Sequence, residues 1–261
     1  MTSQSRDTSE RLAALPERER RGSRPRCLLL TTGAPEAVAA RLTGLAASWA
    51  SVSAGRDRWM PRGFDAPEEA LLDRVALLTD SAVREKLTRW WLAKPEGANT
   101  PNWDVAATAT IDGRPGLVLV EAKAHDAELS AAGKASGGNP ANHERIGAAI
   151  AEANVDLDAV CPGWRLSRDS HYQLANRVAW SWKLATLGFP VVLVYLGFIN
   201  ATEMSDQGRP FKSGADWDRV VRDHARGVVP DDAWGRPLGV GAAPLVLTTA
   251  ALDVRLPTGS S

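Results

Sequence analysis

Two apolar stretches, VAATATI over residues 105–111 and LVLV over 117–120, flank the segment Asp112-Gly113-Arg114-Pro115-Gly116. β-branched and aliphatic residues on either side of such turn chemistry predict a β-hairpin. A period of two places Leu117, Leu119, Glu121 and Lys123 on one face of the second arm, so two core side chains are followed by two charges where the strand leaves the core. Asp104 opens the first arm. A four-residue loop would pair Ile111 with Gly116 and set Asp104 opposite Lys123, on the face of Glu121; a five-residue loop would turn Asp104 to the other face. As charges at a strand end, these groups read as solvated, with ion pairing worth roughly 0–1 kcal/mol.

Elsewhere the period lengthens to that of helices. Val38, Leu42, Leu45 and Trp49 recur at threes and fours, predicting a packed helix over 35–51, and 56–63 reads as a turn-rich link. The spacing over 65–86 predicts one or two helices that begin at Asp65, Glu68 and Glu69, acids that suit a helix start. Residues 88–92, with Trp90-Trp91, either finish that helix or form a strand. A Gly, Ser and Asn loop over 131–140 precedes a short helix over 142–154, whose Asn142, His143, Glu144 and Arg145 read as a cap and a solvated first turn. Residues 170–187 predict a serine-capped helix stopped by Gly188-Phe189-Pro190, with two apolar faces and one polar stripe of Gln173, Asn176 and Arg177. PVVLVYLGFI over 190–199 is apolar on both faces, as a central strand covered on each side would be. A further helix over 216–226 and a late strand or edge over 244–250 complete an α/β pattern.

Asp104, followed after the hairpin by Glu121-Ala122-Lys123, resembles the PD-(D/E)xK signature of the restriction-endonuclease-like nucleases, with Pro101 displaced by two residues from the literal Pro-Asp. The resemblance covers the middle of the chain, from the helix before the hairpin to the strand near residue 198. It implies an αβββαβ core, a central mixed sheet flanked by helices, with extra N-terminal and C-terminal elements, in a single domain over 27–261. It also implies a metal-dependent nuclease acting on DNA, with Asp104, Glu121 and the Ala122 carbonyl as metal ligands and Lys123 as the catalytic lysine. A glutamate from the preceding helix often adds a ligand in such enzymes; Glu68, Glu69 and Glu85 are the candidates, with Glu85 preferred. The polar stripe of the following helix places Gln173 and Arg177 toward Glu121 and Lys123, since a confined arginine needs an anionic partner.

The chemistry of the set agrees with magnesium, with manganese as a substitute: a hard cation that prefers oxygen ligands, generates a nucleophilic water and neutralises charge on phosphoryl oxygens. Lys123 would take a proton from that water, or orient it and stabilise the transition state. The competing reading is a catalytically silent nucleic-acid-binding or interaction module, and a homodimer stays open as an assembly. No Gly-x-Ser-x-Gly elbow, P-loop or His-Glu-x-x-His helix supports another hydrolytic class. His125 and Asp126 read as loop residues, and zinc is not supported.

Composition changes this picture little. Lys plus Arg equals Asp plus Glu at 31 each, so any nucleic-acid contact is local rather than driven by a global basic field. Cys27 and Cys161 give neither a disulfide framework nor a metal cluster, which suits a cytoplasmic protein with packing cysteines. Residues 1–26, with seven Arg and four acids, read as a flexible Arg-rich tail. Arg20-Arg21 precede an apolar run too short for an export signal, and no stretch is long enough to span a membrane. The ten tryptophans read as core.

Overall fold

The hairpin closes through a two-residue turn, Asp112-Gly113, whose φ angles of 48° and 72° both lie in the left-handed region, and which pairs Ile111 with Arg114. Asp-Gly is a favoured pair for such a turn because its twist matches that of the flanking strands. The loop is thus shorter than both lengths left open by the sequence, by two residues relative to the four-residue alternative. An even shift leaves every side chain on its face. Asp104 therefore stays on the face of Glu121, but the register Val105 with Val120 runs on to set it opposite Glu121 rather than Lys123.

The computed structural model describes residues 3–136 and 138–257. Strands β1 (Trp59–Met60), β4 (Val105–Ile111), β5 (Arg114–Lys123), β6 (Val191–Phe198), β7 (Pro237–Val240) and β8 (Ala243–Leu252) form one mixed sheet in the order β1-β4-β5-β6-β8-β7. The β1, β4 and β5 strands pair antiparallel, β6 lies parallel between β5 and β8, and β7 is antiparallel to β8. The late strand is thus interior, not an edge. Every residue of β6 is buried, as its two-faced apolar pattern predicts. A separate two-stranded piece joins β2 (Ala70–Leu71) to β3 (Asn102–Trp103).

Alternation along β5 sorts the core into two layers. Val118, Val120 and Ala122 meet α2 (Ser23–Leu30) and α3 (Pro35–Leu45), sharing a cluster with Cys27, Leu30, Val38 and Leu42. Leu117 and Leu119 face the other way, into a cluster with α4 (Ser81–Trp91), α5 (Pro140–Val160), α6 (Tyr172–Thr186) and α7 (Gly214–Ala225). On that side Trp90, Trp91, Trp180 and Trp182 form a packed aromatic group, with ring centroids 5.5 Å apart between Trp90 and Trp91 and 5.9 Å between Trp91 and Trp180. Gly197 has a specific task beside Lys123: a Cβ there would stand 2.4 Å from the indole of Trp217, so only glycine lets α7 lie this close to β6. No helix of the described residues is long and apolar enough to cross a membrane.

Several expectations need correction. The described part of residues 1–26 is folded: α1 (Ser3–Ala14) leads into α2, and Leu12, Pro25 and Arg26 are buried. Arg26 donates to Glu203 at 2.5 and 2.9 Å and to the carbonyls of Gly22 and Val254. Glu203 and Val254 lie far along the chain, so a local count of charges could not find them. Residues 66–80 are extended and turn-rich rather than helical, and two of the expected helix-start acids face distant cations instead: Asp65 pairs with Arg11 at 2.7 Å and Glu69 with Arg24 at 3.4 Å. The helix begins only at α4, where the Asp80 carboxylate accepts from the amides of Ala82 and Val83, and it absorbs Trp90-Trp91. The α5 helix runs well beyond the short helix expected. Its Asn142 is a structural clamp, accepting from the Lys94 amide at 2.7 Å and donating to the Lys94 carbonyl at 2.8 Å. The α6 cap is His171, at φ 46°, rather than a serine.

Candidate active site

At the end of β5 the backbone ladder with β4 stops at the pair Val105–Val120, and a side chain continues it. Asp104 Oδ2 accepts from the amide of Ala122 at 2.7 Å. In an extended strand the carbonyl of a residue points to the same edge as its amide, so the Ala122 carbonyl faces the side of Asp104. Two carboxylates and one carbonyl therefore converge where β5 leaves the sheet.

Glu121 is only 1% exposed, which overturns the expectation of a solvated strand-end acid. Its Oε1 accepts from Lys123 Nζ and its Oε2 from Arg177 Nε, each at 2.5 Å. Arg177 comes from the polar stripe of α6, as the confinement argument anticipates. Its guanidinium lies 5.0 Å from the ring centroid of Trp103 and donates to Asn176 Oδ1 at 2.7 Å. Gln173, one turn earlier, lines a cleft with Asn102, Asn176 and Arg177, but its amide makes no hydrogen bond to Glu121 or Lys123 among the described residues. The stripe reaches the acids through Arg177 alone.

Burial and like charge divide the two acids. Burial, then repulsion from Glu121, pushes the carboxyl of half-buried Asp104 up to about 7, against the pull of Lys123 and of the Ala122 amide. Burial also acts against the charge on Glu121, yet Arg177 and Lys123 outweigh it and hold Glu121 below the ordinary carboxylate range. For Lys123, burial is outweighed by Glu121 and Asp104, so its ammonium is held above its usual value. The two acids thus favour the charged form of Lys123.

Among the three candidate glutamates, Glu85 is misplaced: it projects from α4 into solvent, 60% exposed, and pairs with Arg89 at 2.5 Å. Glu68 is exposed as well. Glu69 is the acid beside the site, since it helps raise Asp104; Asn102 donates to it and Arg24 lies against it. It stands on the extended segment before β2, not on a helix, which is why a helix-based choice passed over it.

Four further residues shape the site. Tyr195 sits beside Glu121 in the β5–β6 register, and its buried hydroxyl has no hydrogen-bond partner among the described residues. Burial, then Glu121, pushes that phenol well above its usual range. It is the one hydroxyl in an otherwise apolar strand, a signal that was legible. Trp103 had no such mark. Glu128 accepts from the amides of Ala124 and His125 and from Ser23 Oγ at 3.0 Å, fastening the loop after Lys123 to α2. His125 caps that turn and is buried rather than a free loop residue.

Among the described residues no group of three or more His, Cys, Asp or Glu side chains is arranged to hold a metal ion. The available donor set is smaller: Asp104, Glu121 and the Ala122 carbonyl, all oxygen. That set suits a hard divalent cation that keeps several waters, and an acid pushed up to about 7 by burial and then by a neighbouring carboxylate is one that such a cation would ionise. Compared with protein-family models, with curated proteins and with solved structures, the chain matches none.

Proposed function

We propose that the chain is a magnesium-dependent nuclease of the PD-(D/E)xK type that hydrolyses phosphodiester bonds in nucleic acid, with DNA as the substrate. The observation that carries this reading is the convergence of Asp104, Glu121 and the Ala122 carbonyl at the open end of the hairpin, with Lys123 and Arg177 against Glu121. The chain order is compatible with it: with β2, α4 and β3 inserted after β1 and α5 before α6, the α3 helix, antiparallel β1, β4 and β5, the α6 helix and parallel β6 run in the order αβββαβ of such a core.

Asp104, Glu121 and the Ala122 carbonyl would hold the cation, which supplies Lewis acidity and an activated water when bound. Asp104 gives up the proton that burial and Glu121 favour. Lys123, kept charged, orients the attacking water and faces the charge that grows on the phosphoryl oxygens. Arg177 positions Glu121 and offers a second guanidinium edge to an anionic group. Trp103 and Asn176 hold that guanidinium in place.

One observation favours the silent-module reading. Both Glu121 oxygens already accept charge-assisted hydrogen bonds, as they would in a purely structural buried ion cluster. Calorimetric titration with magnesium and manganese separates the two, because a structural cluster would bind neither. Digestion of plasmid, linear duplex and single-stranded DNA, and of RNA, with either metal or with chelator then tests the reaction. Cleavage that persists in Asp104→Asn, Glu121→Gln and Lys123→Ala would refute the assignment.

A further inference from the structure

The cleft beside Arg177 has a composition unlike that of a phosphate track. It measures about 420 Å³ and runs from Asn102 past the start of α6 to the loop at residues 130–133. Arg177 is the one charged side chain in its lining, and the same residue donates to Glu121, so one guanidinium links the cleft to the buried acid. The rest of the polar lining is neutral: the amides of Asn99, Asn102, Gln173 and Asn176 and the hydroxyl residues Thr100 and Ser130, with the ring of Tyr172 among them. Amides carry a donor and an acceptor side by side, the pattern that matches the edges of nucleobases. A surface that tracked the backbone would present cations instead.

Not all of these groups are free. Asn102 donates to Glu69, Asn99 accepts from Arg74 and Asn176 accepts from Arg177. The Gln173 side chain makes no hydrogen bond among the described residues and is half-buried on the cleft wall, so both ends of its amide are available to a ligand. Lys134 Nζ lies 5.0 Å from the Tyr172 ring centroid, which places one cation next to the aromatic face. The walls are rigid. Ala131 and Ala132 accept from the amides of His171 and Tyr172 at 3.0 Å each, and a Cβ on Gly133 would stand 2.5 Å from the carbonyl of Asp169. Recognition groups on such fixed backbone need little ordering when a ligand arrives.

We infer that this cleft receives an unpaired nucleobase, that of a nucleotide next to the phosphate under attack, so that the substrate is single-stranded or locally opened nucleic acid. The inference rests on the nuclease reading for its placement of the phosphate. Its volume falls within the roughly 300–1,000 Å³ of small-ligand sites, and a base still stacked in a duplex cannot enter such a pocket without leaving the stack. Gln173 would read the edge of the base, and Tyr172 would lie against its plane.

Fluorescence anisotropy with chelator present tests binding apart from cleavage. The probes are a labelled twelve-nucleotide single strand, as DNA and as RNA, and a blunt hairpin duplex of the same sequence. A single strand should bind at least about tenfold more tightly than the duplex, as expected where base stacking contributes. Gln173→Leu, which keeps the volume and removes the amide, should weaken single-strand binding about three- to tenfold, the range of one lost hydrogen bond, and leave duplex binding unchanged. Gln173→Ala is the second variant, with melting temperature checked for both. Equal or tighter duplex binding, no effect of either variant, or no binding of either probe would overturn the inference. Magnesium-dependent cleavage is scored separately. Duplex cleavage without single-strand preference would defeat the cleft assignment alone, and single-strand binding without cleavage would defeat the nuclease reading alone.

Discussion

Glu121 and Glu85 make the same contact, a carboxylate 2.5 Å from a cationic nitrogen, in opposite surroundings. Glu85 is 60% exposed, and water screens its bond to Arg89. Glu121 is 1% exposed and touches two cations, with Asp104 as the second acid of a four-charge cluster. Equal distance therefore says little about energy or use. What separates the pairs is desolvation: the buried cluster is costly to leave half-paired, while the exposed pair is not. Arg26 with Glu203 lies between the two, a buried guanidinium on a half-exposed carboxylate, although its arginine comes from a segment whose composition suggested a tail.

The comparison can be broken in order of effect. Deleting residues 1–26 removes α1, the buried guanidinium of Arg26 and the start of α2, and should abolish cooperative folding, read as loss of the melting transition. A truncated protein that melts like the full chain would place Arg26 with the exposed pairs. Glu121→Gln should end metal-dependent cleavage, a fall of at least about 10²-fold. It should also cost about 3–5 kcal/mol in denaturant unfolding, since Lys123 and Arg177 would stay buried without their main anion.

Asp104→Asn should end cleavage too, but with the opposite effect on stability. The folded carboxyl sits at about 7 against 3.8 for the free group, so the folded state binds its proton more tightly. The stability this confers is present below pH 3.8 and is lost as pH rises through 7, because ionisation is penalised only in the folded protein. In chelator, the melting temperature of wild type relative to Asp104→Asn should therefore fall between pH 5 and 8, and magnesium affinity should rise over the same range as the competing proton leaves. A flat difference would mean that Asp104 is ionised throughout. The smallest effect belongs to Glu85→Gln: within about 0.5 kcal/mol in unfolding, with cleavage and metal binding unchanged. A loss of metal affinity there would restore Glu85 as a ligand.

Periodicity and local turn chemistry made much of this molecule legible. The hairpin, the two-faced strand at 190–199, the helix bearing Arg177 and the shared face of Glu121 and Lys123 all follow from patterns within about twenty residues, where side-chain alternation and steric preference act directly. The face of Asp104 depended on the loop length, which the sequence left open and the two-residue turn settled. Other features depended on partners distant in sequence. Whether Glu121 is wet or dry, whether residues 1–26 are tail or helix, and whether Glu69 or Glu85 stands by the site were decided by Arg177, Glu203, Arg24 and Asn102 arriving from other elements. Charge carries no local mark of its burial. Its energy depends on the dielectric and the counter-charges that packing brings to it, and these exist only once the helices have closed over the sheet.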